Sequence, residues 1–439
     1  MERRFIRVAV SATVIALVCA ECSSQETTGD SQPTVVITTY TTGHFKLHTD
    51  VAEPQARATL VAMNAALDFA ISHWKRPLRG QLECYLAENV AKWPTNALPH
   101  PLARIWIGKI GGATISEAVH ASGNQQLQAT IYASTGTGVP EHEGVHAYCC
   151  QSFGALGPDW YKEGMATVAC YEVGYQPGVR CPADFVSILR KRPATTLHDI
   201  VQAGPFTKST AASLNLMVAE RDHPKRPVLL EGSTAVTVAA LDEMRRSYAQ
   251  SWALCYFLLK NPNYASRFRR RGEHFLVQQR DSFSPLFGPV GHQLAFEFDQ
   301  FLQHVDVGYR VDLCCWDWSR GFLTLQQHSP SSRRIEAARG YQATGLMVES
   351  GKTYACKTVG RWSTGGGTES VGADGMADGS GRLVGAVLHA DRLTTPVNLG
   401  ANATFTAPAS GKLYVRCRDA WHQLADNTGS VCVEFSQAR

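Results

Sequence analysis

The sequence predicts a multi-domain α+β chain: a domain that combines a small β-sheet with helices, followed by an all-β sandwich. Three observations predict it. At 439 residues, with 44% hydrophobic residues, the chain is long enough for two cores. Helical spacing dominates the middle of the chain. After Arg320 the composition shifts to Gly, Thr, Ser and Val in short alternating runs broken by turns such as Ser350-Gly351 and Ala409-Ser410-Gly411, as a sandwich requires.

The first residues, Met-Glu-Arg-Arg-Phe-Ile-Arg, are basic and lead into an apolar run from Val8 to Ala20 that ends in Val18-Cys19-Ala20. This pattern reads as an export signal over 1–20. The run is shorter than the roughly 20 residues that cross a bilayer, and no later stretch is a candidate span. The expected product is exported, extracellular or periplasmic; a lipid anchor on Cys22 is the lesser reading, since Cys19-Ala20-Glu21 fits a lipidation site poorly. Thirteen cysteines become twelve once Cys19 is removed, and an even number in an exported chain points to disulfides. Candidates are Cys149, Cys150, Cys170 and Cys181, with Cys314, Cys315, Cys356, Cys417 and Cys432 further on. A net charge of +4 with only 18% charged residues argues against a nucleic-acid partner.

A polar leader, 21–33, precedes the first folded domain, 34–310. Phe45-Lys46-Leu47-His48 alternates as a half-buried strand, and Ala56 to Trp74 carries apolar residues at helical spacing. Strands are expected at Leu82 to Leu86 and Thr130 to Ala133, then a Gly-rich turn, Thr135 to Gly138, opens a helix. Helices follow at Ser247 to Leu259 and Gln293 to Val305. Residues 311–331 read as a linker and 332–439 as the sandwich.

The chemistry concentrates in His142-Glu143-Gly144-Val145-His146. Residues four apart share a helix face, so both imidazoles can grip one metal ion while Glu143 reaches a water held on it. Seventeen residues beyond His146, the segment Trp160-Tyr161-Lys162-Glu163-Gly164-Met165-Ala166 supplies a further carboxylate. The bland alternative is two helix histidines beside buried glutamates. It is disfavoured because burying Glu143 and Glu163 without a cation is costly. Asp159, after Pro158, is expected to cap the second helix, and no acid is evident near Thr167 to orient the ligands.

The two segments together resemble the gluzincin metallopeptidases, thermolysin-like and aminopeptidase-like enzymes in which a Glu within Glu-Gly-x-Ala completes the metal site. The resemblance implies a gluzincin-like peptidase domain with zinc held by His142, His146 and Glu163, a fourth position left for water, and Glu143 as general base. The helix around Ser247-Tyr248-Ala249-Gln250-Ser251-Trp252 looks like the one that follows the metal helices in that family. There Tyr248 is either an oxyanion donor or a packed core residue. The Gly-x-Met-x-Asn signature of many aminopeptidases is absent, which leans the reading toward an endopeptidase acting on a protein or peptide.

Residues 332–439 resemble calcium-dependent galactose-binding bacterial lectins through Tyr341 to Leu346, Gly360-Arg361-Trp362, Gly385-Ala386-Val387 and Gly411 to Tyr414. That resemblance implies calcium on Asp419, Asp426 and Asn427 and a carbohydrate ligand. Gln423 stands where a hydroxyl residue is expected, and the loop after Trp362 lacks the expected tyrosine. The alternative is a sandwich that only positions the peptidase. For the whole chain the competing functions are a non-enzymatic glycan-binding or adhesin protein on an inactive peptidase scaffold, and a zinc amidase acting on cell-wall peptides.

Overall fold

The computed structural model describes residues 10–14, 35–121, 124–172, 177–191, 196–202, 238–277, 283–325, 331–366 and 369–438. Most of the expected export signal, the leader, Cys22, His223 and much of the segment between Cys181 and Val238 lie outside the described residues. The chain is mixed α and β, with several sheets and helices, and divides into two compact units. The first comprises Met1–Gln176, His198–Tyr256 and Arg269–Ser282; the second comprises Pro177–Leu197, Phe257–Phe268 and Phe283–Arg439. No helix among the described residues is long and apolar enough to cross a membrane.

The first unit is built on a mixed sheet. Its strands are β1 (Val10–Val14), β2 (Thr38–Thr41), β3 (Phe45–Thr49), β4 (Leu82–Ala87), β5 (Gly111–Ala121) and β6 (Asn124–Ser134), in the order β1-β5-β6-β4-β3-β2. Strand β3 buries Phe45 and Leu47 on one face, as its alternation predicts. Strands β3 and β4 are parallel, so their connection must cross over the sheet, and helix α1 (Glu53–Trp74) makes that crossing. It buries Ala56, Leu60, Met63, Ala66, Leu67, Ala70 and Trp74, one stripe at three- and four-residue steps. Strand β6 then lies parallel to β4 and antiparallel to β5, whose contribution the sequence did not announce. Strand β1 pairs with β5, Val10 opposite Ile115, and falls inside the run read as an export signal. Cleavage after Ala20 would leave β5 as the edge of the sheet.

Helix α2 (Val139–Phe153) leaves β6 through Gly138, whose φ of 81° suits glycine. It is buried on nearly every side, which is why it shows little amphipathic pattern. Helix α3 (Asp159–Tyr171) follows. Its N-cap is Pro158, not an acid: the Pro158 carbonyl accepts from the Tyr161 and Lys162 amides, while Asp159 falls in the first turn and pairs with Lys162 Nζ at 2.6 Å. The expected cap at Asp159 is thereby corrected by one residue, and its charge acts on the helix N-terminus and on Lys162 instead.

Helix α4 (Val238–Lys260) meets α3 at Gly164. A Cβ there would lie 2.4 Å from the Ser251 carbonyl oxygen and 2.6 Å from Cys255 Sγ, so the glycine is what lets two backbones approach. Gly144 on α2 differs: the nearest atoms to its added Cβ would be side-chain carbons of Phe45 and Met63, at 3.7 Å and beyond.

The second unit holds two sheets around one core. The first has order β14-β10-β16-β8, from β8 (Ser331–Glu336), β10 (Thr353–Ser363), β14 (Asn402–Thr406) and β16 (Thr428–Gln437). The second has order β12-β11-β15-β9-β7, from β7 (Leu323–Thr324), β9 (Gln342–Val348), β11 (Leu383–His389), β12 (Arg392–Leu393) and β15 (Gly411–Cys417), with β13 (Val397–Asn398) paired to β11. Alternate residues of β16, namely Val431, Val433 and Phe435, meet Leu346, Val387, Leu413 and Val415 of the other sheet in one cluster. Helix α5 (Gly291–His304) belongs to this unit and carries Glu297, a buried carboxylate. Five donors satisfy it: Asn261 and Asn263 Nδ2, Tyr264 Oη, the Trp316 amide and Trp318 Nε1. The described cysteines are all free thiols, so the expected bridges are not formed among them.

Two outcomes follow from this packing. Gly164→Ala should cost about 1–3 kcal/mol by overpacking, whereas Gly144→Ala should be neutral or gain up to about 1 kcal/mol from helix propensity. Urea unfolding of both variants checks the contrast. The second outcome concerns His73, whose ring stacks on Phe69, edges onto Trp74 and lies 3.3 Å from Tyr161 Oη. Burial first, then Arg269 and Lys75, push its pKa from 6.5 down to about 3. Between those values the unfolded chain binds a proton that the folded one refuses, so stability falls as pH drops below 6.5, by at most about 1.4 kcal/mol per unit. In unfolding measured at pH 7 and pH 5, His73→Gln should show a loss smaller than wild type by up to about 2 kcal/mol.

Candidate metal centre

Two helices bring the centre together. One face of α2 presents His142 and His146, a single turn apart, and their rings meet edge to face with centroids 4.6 Å apart. Helix α3 delivers Glu163 opposite them: its Oε2 lies 3.0 Å from His142 Nε2 and 3.2 Å from His146 Nε2. The three candidate ligand atoms lie within 4.8 Å of one another, and the three side chains are 0–1% exposed. Among the described residues no other cluster of three His, Cys, Asp or Glu side chains has this closeness.

The donor set fits a divalent cation. Two neutral imidazoles and one carboxylate are the ligands of a three-residue catalytic site. Glu163 Oε1 is buried without a hydrogen-bond partner, its nearest cation being Lys162 Nζ at 3.7 Å. Burial alone would raise the Glu163 pKa, but His146, the His142 hydrogen bond and Lys162 outweigh it and hold the group ionised. Burial, chiefly, lowers His142 to about 4, which keeps its imidazole neutral and its lone pair available.

Thr167 reaches the other ring nitrogen of His142. Its hydroxyl donates to the Glu163 carbonyl at 2.8 Å and so turns an oxygen lone pair toward His142 Nδ1, 3.4 Å away. A hydroxyl has one proton to give. An ionised Glu163 can only accept from His142 Nε2, and a metal on Nε2 would displace that proton and leave Nδ1–H to donate to the Thr167 oxygen. The group expected to be an acid is a threonine, one helical turn beyond Glu163 on the same face.

Glu143 lies beside the ligands on α2 and is 0% exposed. The Thr114 hydroxyl on β5 stands 2.8 Å from both Glu143 Oε2 and the Glu143 carbonyl oxygen, fixing the carboxylate from the sheet side. Gly112, two residues earlier on the same strand face, makes that approach feasible, since a Cβ there would lie 2.8 Å from Val139 Cγ1 and 3.2 Å from Glu143 Cγ. Tyr248 on α4 packs its ring against His142, with centroids 6.0 Å apart and planes at 72°.

The residues proposed for calcium are placed differently. Asn427 accepts from the Gly365 amide through Oδ1 and lies 3.3 Å from the Ala337 carbonyl through Nδ2, so its amide braces two loops. Asp419 Oδ1 accepts from the Ala420 amide, and neither Asp419 nor Asp426 joins a cluster of three ionisable ligands among the described residues.

No family model and no curated protein matches the chain. Among solved structures it is similar to the EclA N-terminal domain, a PllA-like lectin, at 21% identity over 24% of this chain and 95% of that one, with a TM-score of 0.20. It is also similar to Aeromonas hydrophila PliG, a periplasmic lysozyme inhibitor of g-type lysozyme, at 12% identity over 26% of this chain and 96% of that one, with a TM-score of 0.16. Neither likeness is close enough to bear on function.

Removing the Thr167 hydroxyl tests the centre without touching a ligand. Thr167→Val should keep the fold and weaken metal binding about 10- to 100-fold, measured by competition with a chromogenic chelator.

Proposed function

We propose that the chain is an exported, zinc-dependent peptidase of the gluzincin type that hydrolyses peptide bonds. The observation that carries this reading is the convergence of His142, His146 and Glu163 from two helices on one buried point with Glu143 beside them. Export rests on the basic and apolar N-terminal run. Zinc, when bound by these three side chains, supplies a Lewis acid and lowers the pKa of the attacking water.

The chain's own groups do the rest. His142 and His146 bind through Nε2, with the His142 ring fixed by Thr167. Glu143, held through Oε2 by Thr114, takes a proton from the attacking water and passes it to the leaving amine nitrogen. Tyr248, whose ring packs against that of His142, is the candidate donor to the oxyanion. Complete burial of Glu143 and the ligands keeps bulk water from them.

Metal analysis of the purified protein and cleavage of a quenched peptide library, run beside Glu143→Gln, test the reading. We expect about one zinc per chain in both proteins and a rate loss of about 10²–10⁴-fold in the variant. Absence of bound metal, or equal rates in the two proteins, overturns it. Bound zinc with release of amine from cell-wall peptides but no cleavage in the library favours the amidase instead.

A further inference from the structure

Positive charge gathers at one place in the first unit, apart from the metal centre. Two basic runs far apart in sequence, Lys75-Arg76-Pro77-Leu78-Arg79 just past α1 and Arg269-Arg270-Arg271, meet there. Arg76 Nη2 lies 2.5 Å from Glu273 Oε1, and a Cβ on Gly272 would stand 3.0 Å from His73 Nε2, so the two segments are in contact. Behind burial, Arg269 and Lys75 are what lower the His73 pKa, the mark of a positive field at that point.

Residues 75–79 and 269–273 hold six cations and one carboxylate, a local excess of five charges, whereas the whole chain has an excess of four. The one carboxylate, Glu273, is engaged by Arg76. Lys75, Arg79, Arg270 and Arg271 are exposed and pair with no carboxylate among the described residues. The dipole of a helix C-terminus attracts a cation in its last turn, which accounts for Lys75 but not for six like charges from two segments. Their mutual repulsion is a cost that a negative partner would remove. Lys75 carries a further cost: it caps α1 at φ 57°, a left-handed conformation that glycine adopts freely and a lysine does not.

We propose that this patch is a docking surface for a membrane of anionic phospholipids. A guanidinium fork matches the oxygens of a phosphodiester, and a lipid surface presents that group to all of the cations at once. Exposed apolar side chains favour a membrane over a soluble polyanion. Val277, 53% exposed, lies one turn beyond Glu273 on the short helix Gly272–Val277 and shares the face from which Glu273 reaches Arg76. Leu78, partly exposed, stands inside the first run. Both can enter the headgroup layer while the arginines stay at the phosphates.

Co-sedimentation of the full chain with vesicles tests this, using phosphatidylcholine mixed with phosphatidylglycerol against phosphatidylcholine alone. The patch variant combines Lys75→Gln, Arg79→Gln, Arg270→Gln and Arg271→Gln. A control of equal net charge combines Arg320→Gln, Arg334→Gln, Lys352→Gln and Lys357→Gln, all exposed and all in the second unit. Every protein carries the same N-terminus, so its own affinity for lipid cancels. We expect the patch variant to lose about tenfold or more in affinity for the charged vesicles and nothing for the neutral ones, the control to keep both, and wild-type binding to weaken with added salt. The pairs Lys75→Gln with Arg79→Gln, and Arg270→Gln with Arg271→Gln, should each lose part of the effect. Undiminished binding by the patch variant, an equal loss in the control, or failure of the wild type to bind charged vesicles overturns the proposal. Binding of the wild type to soluble polyphosphate but not to charged vesicles overturns it too, and reassigns the patch to a soluble polyanion.

Discussion

The first unit is organised around one electrostatic constraint: the Glu163 carboxylate is buried between two imidazoles and must be answered by positive charge. In the protein alone it faces His142 and His146 Nε2 at 3.0 and 3.2 Å and a single lysine, Lys162, at 3.7 Å. Imidazole N–H groups and a lysine at that distance are a poor substitute for a divalent cation, and a proton held on a ligand nitrogen is one that a metal would displace. Much of the surrounding architecture serves to keep these groups together. Gly164 lets α4 press against α3, Gly112 lets β5 press against α2, and the parallel β3-α1-β4 crossover gives α2 a sheet to lie on. None of these features is needed to make a stable fold in general. Together they fix the separation of α2 and α3 to within a hydrogen bond.

How much of this was legible in the sequence depends on how local the determining contact is. His142, Glu143 and His146 are readable because a helix repeats every 3.6 residues and their spacing obeys it. Glu163 needed only a neighbouring helix and a carboxylate. Thr167 was readable by the same periodicity, one turn from Glu163, and was overlooked because an acid was expected in its role. Thr114 and Gly112 were not readable. Their importance arises where a strand meets a helix some thirty residues later, and a lone threonine or glycine in a strand carries no mark of that meeting. The Asp159 cap failed for a different reason: proline supplies the extended φ and ψ of an N-cap without a side-chain acceptor, so the first acid after it reads falsely as the cap.

The sandwich was legible from alternation alone, as the inward Val431, Val433 and Phe435 of β16 illustrate. What alternation could not give was the company the sandwich keeps. Glu297 on α5 is satisfied by donors from Asn261, Asn263, Tyr264, Trp316 and Trp318, groups scattered over nearly sixty residues of sequence. That network makes α5 and the 257–268 segment part of the second unit, although by periodicity they look like further helices of the first.

Glu297 also provides the standard by which the other buried charges should be judged. Its carboxylate, 3% exposed, has every lone pair directed at a donor, and nothing remains for a ligand to supply. Such a group specifies a fold. Glu163 is buried more deeply still, yet its Oε1 is left without a hydrogen bond. An evolved interior rarely leaves such atoms unsatisfied, because each costs about 1–3 kcal/mol, and more when charged. That difference separates the structural carboxylate of α5 from the carboxylate of the metal centre. An incomplete carboxylate facing two imidazole nitrogens calls for a cation.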